Sequence, residues 1–214
     1  MMETFVPSIE TGSNDDVRGT VQNVLDTYQQ VKDKPILLGL LSRELGDANR
    51  RMRDIRDGRF TVESEDLPQF MISALKSSTK SVHATSFARF DHWWASSFGS
   101  RYRETNIALR KQGVTVARVF IFTDQDEFAR ACPIIDEQRK NGIDVRIIVD
   151  PQGVQDGYED VIIIDNNLAG SLDLSAERLV RRANFYTDSF TVNELERRYQ
   201  RTLLESQEFM GCKK

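Results

Sequence analysis

Apolar residues recur every three or four positions in the first quarter of the chain, a spacing that predicts two amphipathic helices. Asp15 or Asp16 can cap the first helix, which runs to about residue 32. Pro35 opens the second helix over residues 36–55, and Gly58 ends it. The apolar stripes consist of Val21, Val24, Leu25, Tyr28, Val31, Leu37, Leu38, Leu41, Leu45 and Met52.

These stripes need another apolar surface to cover them, so residues 16–58 are predicted to form a helical hairpin or a short coiled coil. Residues 1–15 are polar, carry Gly, Ser, Asn and Asp, and show no periodicity. They are predicted to be disordered.

From about residue 59 the pattern alternates between strands and helices. Capping boxes at Thr123 and Thr191 begin the last two helices. The helices are predicted over residues 65–77, 97–112, 123–140 and 191–209. The strands are predicted over residues 80–87, 114–122, 143–149, 160–165, 168–174 and 183–187, with a turn at 150–153. The last three strands resemble a meander. This alternation predicts an α/β layered domain over residues 59–210 with a mixed sheet.

Composition is typical of a soluble globular protein, with 39% hydrophobic and 29% charged residues in 214. The net charge of -4 argues against broad nucleic-acid binding, which needs many basic residues to neutralise phosphates. The apolar run 36–41 is far shorter than the roughly 20 residues of a membrane span. No apolar leader of the secretory type is found, so a cytoplasmic location is predicted.

The chain has two cysteines, Cys132 in a predicted helix and Cys212 in the tail. Their spacing indicates neither a metal site nor a disulfide framework. Free thiols and a reducing cytoplasm are therefore the expectation.

Residues 158–165 read Tyr-Glu-Asp-Val-Ile-Ile-Ile-Asp. This segment resembles the H-x-K-x4-D signature of the phospholipase D superfamily, with Tyr158 in place of the His and Asp160 in place of the Lys. Asp165 alone matches. The next strand reads Ala-Gly-Ser-Leu-Asp, where the family usually has Gly-Ser-x-Asn, so Asp173 takes the place of the Asn. The segment 188–190 resembles the family's ending, and the stretch from Trp93 to Gln138 is similar to non-catalytic members found as regulatory domains.

The resemblance implies a layered α-β-α phospholipase D-like domain that has lost its chemistry. In the family one His attacks phosphorus, a second protonates the leaving group, and Lys holds the phosphate oxygens. His83 would need Lys at position 85 and Asp at position 90, but Thr85 and Phe90 stand there, and His92 lacks the same two partners. Asp160 would repel a phosphate. No catalytic residue, cofactor or metal is therefore predicted, and the resemblance implies a homodimer.

Two interpretations of the carboxylates Asp160, Asp165 and Asp173 stay open. They could bind a divalent cation and support a metal-assisted phosphodiesterase or other hydrolase. Alternatively they cap turns and pair with arginines, for example Arg118 or Arg146, which is the interpretation we favour.

The remaining candidates for ligand or partner contact are Arg118, His83, His92, Trp93 and Trp94. Arg118 alternates in phase with apolar residues of its strand, so it is predicted to lie buried and paired with a carboxylate, or else to bind an anion. The two tryptophans are adjacent and must point in different directions, so one is expected to be partly exposed or both to complete the core. The chain is thus predicted to be a regulatory, sensor or scaffold module that binds a protein or a small anionic ligand.

Overall fold

The computed structural model describes residues 14–149 and 158–212. Residues 1–13 of the segment predicted to be disordered and the predicted turn at 150–153 lie outside this range. Asn14 and Asp15 already belong to the first helix. The chain divides into two compact units, whose described parts are residues 14–60 and 61–212. No helix in the described ranges has the length and apolar character needed to cross a membrane.

The first unit contains helices α1 (Asn14–Val31) and α2 (Pro35–Arg56), which pack against each other as a hairpin. Their bounds lie within two residues of the predicted ones. Pro35 occupies the first turn of α2, where its missing N–H removes no hydrogen bond. The apolar side chains along the seam are only half-buried: Val24, Val31, Leu38 and Leu41.

The second unit is built on a mixed sheet flanked by helices, as predicted. Its helices are α3 (Leu67–Lys76), α4 (Phe90–Trp93), α5 (Ser97–Lys111), α6 (Gln125–Lys140) and α7 (Ser189–Glu205). The strands are β1 (Arg59–Glu63), β2 (Ser81–Ser86), β3 (Thr115–Phe122), β4 (Asp144–Val149), β5 (Val161–Ile164), β6 (Leu168–Leu174), β7 (Val180–Tyr186) and β8 (Gln207–Glu208). The six predicted strands are confirmed, whereas β1, β8 and the short α4 were not predicted.

The strand order is β1-β7-β6-β5-β2-β3-β4-β8. Strands β2, β3 and β4 are parallel, and β5, β6 and β7 form the predicted antiparallel meander. Strand β5 joins the two halves by pairing antiparallel with β2. This arrangement places the beginning of β5 beside the end of β2, at the centre of the sheet.

Both faces of β3 are covered, since seven of its eight residues are buried. Val119 and Ile121 belong to an apolar cluster shared with α7. Side chains alternate along a strand, so Arg118 and Phe120 point to the opposite face. There they contact Tyr102 of α5 and Trp94. The sheet therefore lies between α7 on one face and α5 on the other.

The predicted starts of the last two helices were wrong by one to three residues. Asp124, not Thr123, caps α6, because its carboxylate accepts the N–H of Glu127 at 2.7 Å. Likewise Asp188 caps α7 by accepting the N–H of Thr191 at 2.8 Å, and the helix ends at Glu205 instead of residue 209. Asp and Thr are both good caps, and the sequence pattern could not choose between neighbours.

Candidate functional site

Asp160 lies at the junction where β5 begins beside the end of β2. Its carboxylate accepts hydrogen bonds from the backbone N–H groups of Phe87, at 2.7 Å, and of Ala88. Thr85 also connects the end of β2 to the beginning of β5. Its hydroxyl donates to the carbonyl of Glu159 at 2.5 Å and accepts the N–H of Val161 at 2.8 Å. The Asp160 side chain is consequently buried and fixed, with 4% of the residue exposed.

Burial raises the pKa of Asp160 to about 6 from an ordinary value of 3.8. The two backbone N–H groups and the nearby guanidinium groups of Arg118 and Arg178 act in the opposite direction and hold the pKa below neutrality. The carboxyl group therefore titrates at a higher pH than an ordinary Asp.

Arg118 faces the same junction from β3, and its predicted burial is confirmed, with 3% exposed. The prediction that Arg118 pairs with a carboxylate was wrong. Its Nη1 and Nη2 donate to the hydroxyls of Ser86 and Tyr102, at 2.9 and 3.0 Å. The guanidinium also lies over the rings of Trp94 and Tyr102, 4.8 and 5.1 Å from their centroids. Asp160 contributes a longer-range charge interaction. Among the described residues, none accepts a hydrogen bond from the Arg118 Nε.

Asp160 and Arg118 both line a cavity of about 30 Å³. Polar and aromatic side chains share its wall: Asp160, Arg118, Thr85, Ser86, Trp93 and Trp94. The space suffices for about two water molecules. The rest of the wall is mostly apolar and includes Met71, Ile162 and Leu172, so Asp160 and Arg118 are charged groups in a largely apolar cavity.

Of the two alternatives for the tryptophans, the structure shows partial exposure of one. Trp94 is 1% exposed and belongs to the cavity wall. Trp93 is partly exposed and packs edge-on against Phe98, with centroids 4.7 Å apart. His92 lies on α4 and points to solvent. Of this aromatic group, Trp93 and His92 present the accessible surface.

Tyr158 and His83 have partners on α7. The Tyr158 hydroxyl donates to the Glu205 carboxylate at 3.3 Å. His83 Nδ1 lies 3.3 Å from the Glu196 carboxylate, and its ring stacks on Tyr199 with centroids 5.1 Å apart. Each contact is one that stabilises the packing of α7 on the sheet.

Asp165 organises a turn. Its two carboxylate oxygens accept five hydrogen bonds of 2.7–3.0 Å, from the backbone N–H groups of Thr79, Lys80 and Ser81 and from the hydroxyls of Ser78 and Thr79. Burial acts to raise the pKa of Asp165, but these hydrogen bonds outweigh it and lower the pKa below its ordinary value. Asp165 thus ties the β5–β6 turn to the segment that enters β2.

The structure does not bring the three candidate carboxylates together. Asp173 pairs with Arg182 at 3.1 Å on the surface, and Arg146 donates to Ser206 instead of to a carboxylate. Within residues 14–149 and 158–212, no group of three or more His, Cys, Asp or Glu side chains could hold a metal ion. The carboxylates instead accept hydrogen bonds from turns or form separate ion pairs. Arg118 and Arg146, the arginines named from the sequence, form no ion pair with Asp165 or Asp173.

The ion pair Glu127–Arg178 next to this junction was missed from the sequence. Its atoms lie 2.7 Å apart, with 5% and 16% of the side chains exposed, and Arg178 also donates to the carbonyl of Phe87 at 3.3 Å. Glu127 looks like an ordinary residue of the first helical turn, which hides its second role. Arg178 adopts a positive φ of 60° in the β6–β7 turn, a conformation that its residue type does not indicate.

Cys132 and Cys212 form a disulfide, which contradicts the prediction of two free thiols. Strand β8 pairs with β4 and brings the following residues against α6, which carries Cys132. Nothing in the sequence predicted β8, because two residues are too few to show periodicity.

No protein-family profile matches this sequence, and no curated protein matches it. Solved structures do. NucT from Helicobacter pylori is 12% identical, with a TM-score of 0.51 over 71% of this chain and 98% of NucT. Nuc from Salmonella typhimurium, a phospholipase D family member, is 16% identical, with a TM-score of 0.50 over 71% of this chain and 97% of Nuc.

TrmBL2, an archaeal chromatin protein with a novel mode of DNA binding, is 10% identical, with a TM-score of 0.50 over 88% of this chain and 70% of TrmBL2. Identities this low report the fold alone. The chain has the phospholipase D-like fold that the resemblance predicted.

Proposed function

We propose that this chain is a non-catalytic phospholipase D-like module that acts by binding, as a regulator, sensor or scaffold, and works as a homodimer. The observation that carries the proposal is the state of Asp160. Where the motif would place a phosphate-binding Lys, an acidic side chain is buried and accepts hydrogen bonds from two backbone N–H groups. A negative charge at this position repels a phosphodiester.

The proposed absence of catalysis also draws support from the two histidines. Covalent phosphodiester hydrolysis in this family needs a nucleophile and a proton donor at one site. His83 is engaged with Glu196 and stacked on Tyr199, whereas His92 lies exposed on α4. The phenol of Tyr158, at the nucleophile position of the motif, is hydrogen-bonded to Glu205.

The size and charge of the cavity favour a protein partner over a small anionic ligand. A space of about 30 Å³ is far below the several hundred Å³ of ordinary ligand pockets. Any anion that entered would meet Asp160 as well as Arg118. Arg118 is also too deeply buried to reach a nucleic-acid backbone. The described residues contain no carboxylate cluster of the kind that a metal-assisted hydrolase needs.

The proposed dimer rests on the exposed apolar surface of the hairpin. Neither α2 nor the described side chains of α1 include a buried residue. Ten large apolar residues of the pair are exposed: Val17, Val21, Leu25, Tyr28, Ile36, Leu37, Leu40, Leu45, Met52 and Ile55. A surface of this kind requires a covering partner. A second hairpin would cover it in a four-helix bundle with two-fold symmetry.

Sedimentation equilibrium tests this proposal. The protein should sediment as a dimer of the 24.6 kDa chain, and Val21→Glu/Leu25→Glu should weaken the dimer. The two side chains are 55% and 53% exposed and lie one helical turn apart. A loss of roughly 1 kcal/mol for each of four side chains raises the dissociation constant about 1000-fold.

The control is Leu204→Glu on α7, an equally apolar residue that is 86% exposed. It should leave the dissociation constant unchanged. A wild-type protein that is monomeric at 50 µM would refute the dimer. A dimer that resists the double substitution would refute the hairpin as its interface.

A further inference from the structure

We propose that Cys132 and Cys212 are a reversible redox site that fastens β8 over the outer edge of the sheet when oxidised and releases it when reduced. The inference is independent of the proposed binding function, because it concerns β8 and its disulfide at the edge of the sheet and involves neither Asp160 nor the α1–α2 hairpin. It rests on the geometry of the disulfide, on the short strand that the disulfide holds and on the groove beside it.

The disulfide has one protected and one accessible end. Cys132, on α6, is 6% exposed, whereas Cys212 is exposed. The Cα atoms lie 5.8 Å apart, although 80 residues separate them in sequence. Both cysteines line a groove of about 640 Å³ with apolar walls that include Phe128, Pro133 and Ile147. A thiol reagent can therefore reach the Cys212 sulfur.

The segment that the disulfide holds has few other anchors. Strand β8 comprises two residues, paired with Arg146 and Ile147 of β4. Beyond it, the N–H of Phe209 donates to the carbonyl of Val145 at 3.2 Å, and the Phe209 ring is buried. Arg146 adds two hydrogen bonds of 2.7 Å to Ser206. A strand of two residues is far shorter than the usual five or six, so the covalent link is a major part of its attachment.

The position of β8 in the sheet determines what breaking the disulfide would expose. It is the last strand beyond β4 in the sheet order. When β8 leaves, β4 becomes the edge and exposes unpaired backbone N–H and C=O groups. The redox state of one cysteine pair thus controls whether residues 145–147 of β4 are covered.

The exchange step balances with a dithiol as co-reactant. A thiolate of the dithiol attacks the Cys212 sulfur, a mixed disulfide forms, and Cys132 leaves as a thiolate that takes up a proton. The second thiol of the dithiol then displaces Cys212, which also takes up a proton. The protein gains two electrons and two protons, and the dithiol becomes a cyclic disulfide. A small-molecule disulfide reverses both steps.

Hydrogen exchange of the full chain, followed by mass spectrometry, tests the proposal. The oxidised protein is compared with the same protein in dithiothreitol. Reduction should speed amide exchange at least about tenfold in peptides covering 206–212 and 144–149. The peptide covering β3, at the centre of the sheet, should not change, which shows that the fold persists.

Cys132→Ser/Cys212→Ser is the matched variant. Without any reductant it should exchange like reduced wild-type protein, and dithiothreitol should have no further effect on it. Unchanged exchange of 206–212 on reduction would overturn the proposal. So would failure of the reduced wild-type protein to regain the Cys132–Cys212 disulfide in oxidised glutathione, read from its peptide masses.

Discussion

Replacing Asp165 with alanine should lower the free energy of unfolding by about 3–5 kcal/mol. The substitution removes the acceptor of five hydrogen bonds and leaves the N–H groups of Thr79, Lys80 and Ser81 without their present partner. Each such loss costs about 1–3 kcal/mol, reduced here by partial access of water. Urea denaturation followed by circular dichroism measures the change.

Asp173→Ala is the control for this prediction. Its carboxylate pairs with the Arg182 guanidinium on the surface, so the loss should be below about 1 kcal/mol. Equal losses for the two variants would contradict the structural role of Asp165. The lowered pKa of Asp165 also fixes the direction of its effect on stability with pH. Its ionised form stabilises the fold above the unfolded-state pKa, and this stabilisation is lost as falling pH protonates it.

Asp160 should make the opposite contribution between pH 4 and pH 7. Its pKa is raised to about 6 in the fold, so its contribution to stability is fully present below the unfolded-state pKa and is lost as pH rises through 6. A raised pKa of this size corresponds to about 3 kcal/mol. Asp160→Asn cannot ionise and lacks this pH dependence.

The measurement is the free energy of unfolding of both proteins at several pH values from 4 to 7. The stability of wild type minus that of Asp160→Asn should fall by about 2 kcal/mol over this range, because part of the loss has already occurred at pH 4. Other carboxylates, including Asp165, titrate in both proteins and cancel in the difference. A difference that does not vary with pH would refute the raised pKa.

Apolar periodicity was sufficient to predict the long elements of this fold. The strand at 114–122 and the meander after residue 160 follow from alternating or continuous apolar residues, and both are present. β1, β8 and α4 are too short to stand out from the neighbouring sequence and were not predicted, whereas the four-residue β5 was predicted because all of its residues are apolar. Helix starts were misplaced at Thr123 and Thr191 because a better-placed Asp follows Thr123 and another precedes Thr191.

The candidate site was less predictable, because its partners come from distant parts of the chain. Strand register alone indicated that Arg118 is buried. Its hydrogen-bond partners Ser86 and Tyr102 are 32 and 16 residues away, and only the packing of α5 on the sheet brings Tyr102 to it. The disulfide depends in the same way on β8, which places Cys212 beside α6.

The measurement that tests the central claim most directly is hydrolysis of bis(p-nitrophenyl) phosphate by the purified protein. It is run with Mn²⁺ and again with EDTA, on wild type and on Tyr158→Phe, which keeps the ring and loses the hydroxyl. The account predicts that both proteins release p-nitrophenol at the rate of buffer alone. A wild-type rate above buffer that Tyr158→Phe abolishes, with an unchanged circular dichroism spectrum, would show that the degenerate motif is a working active site and contradict the account.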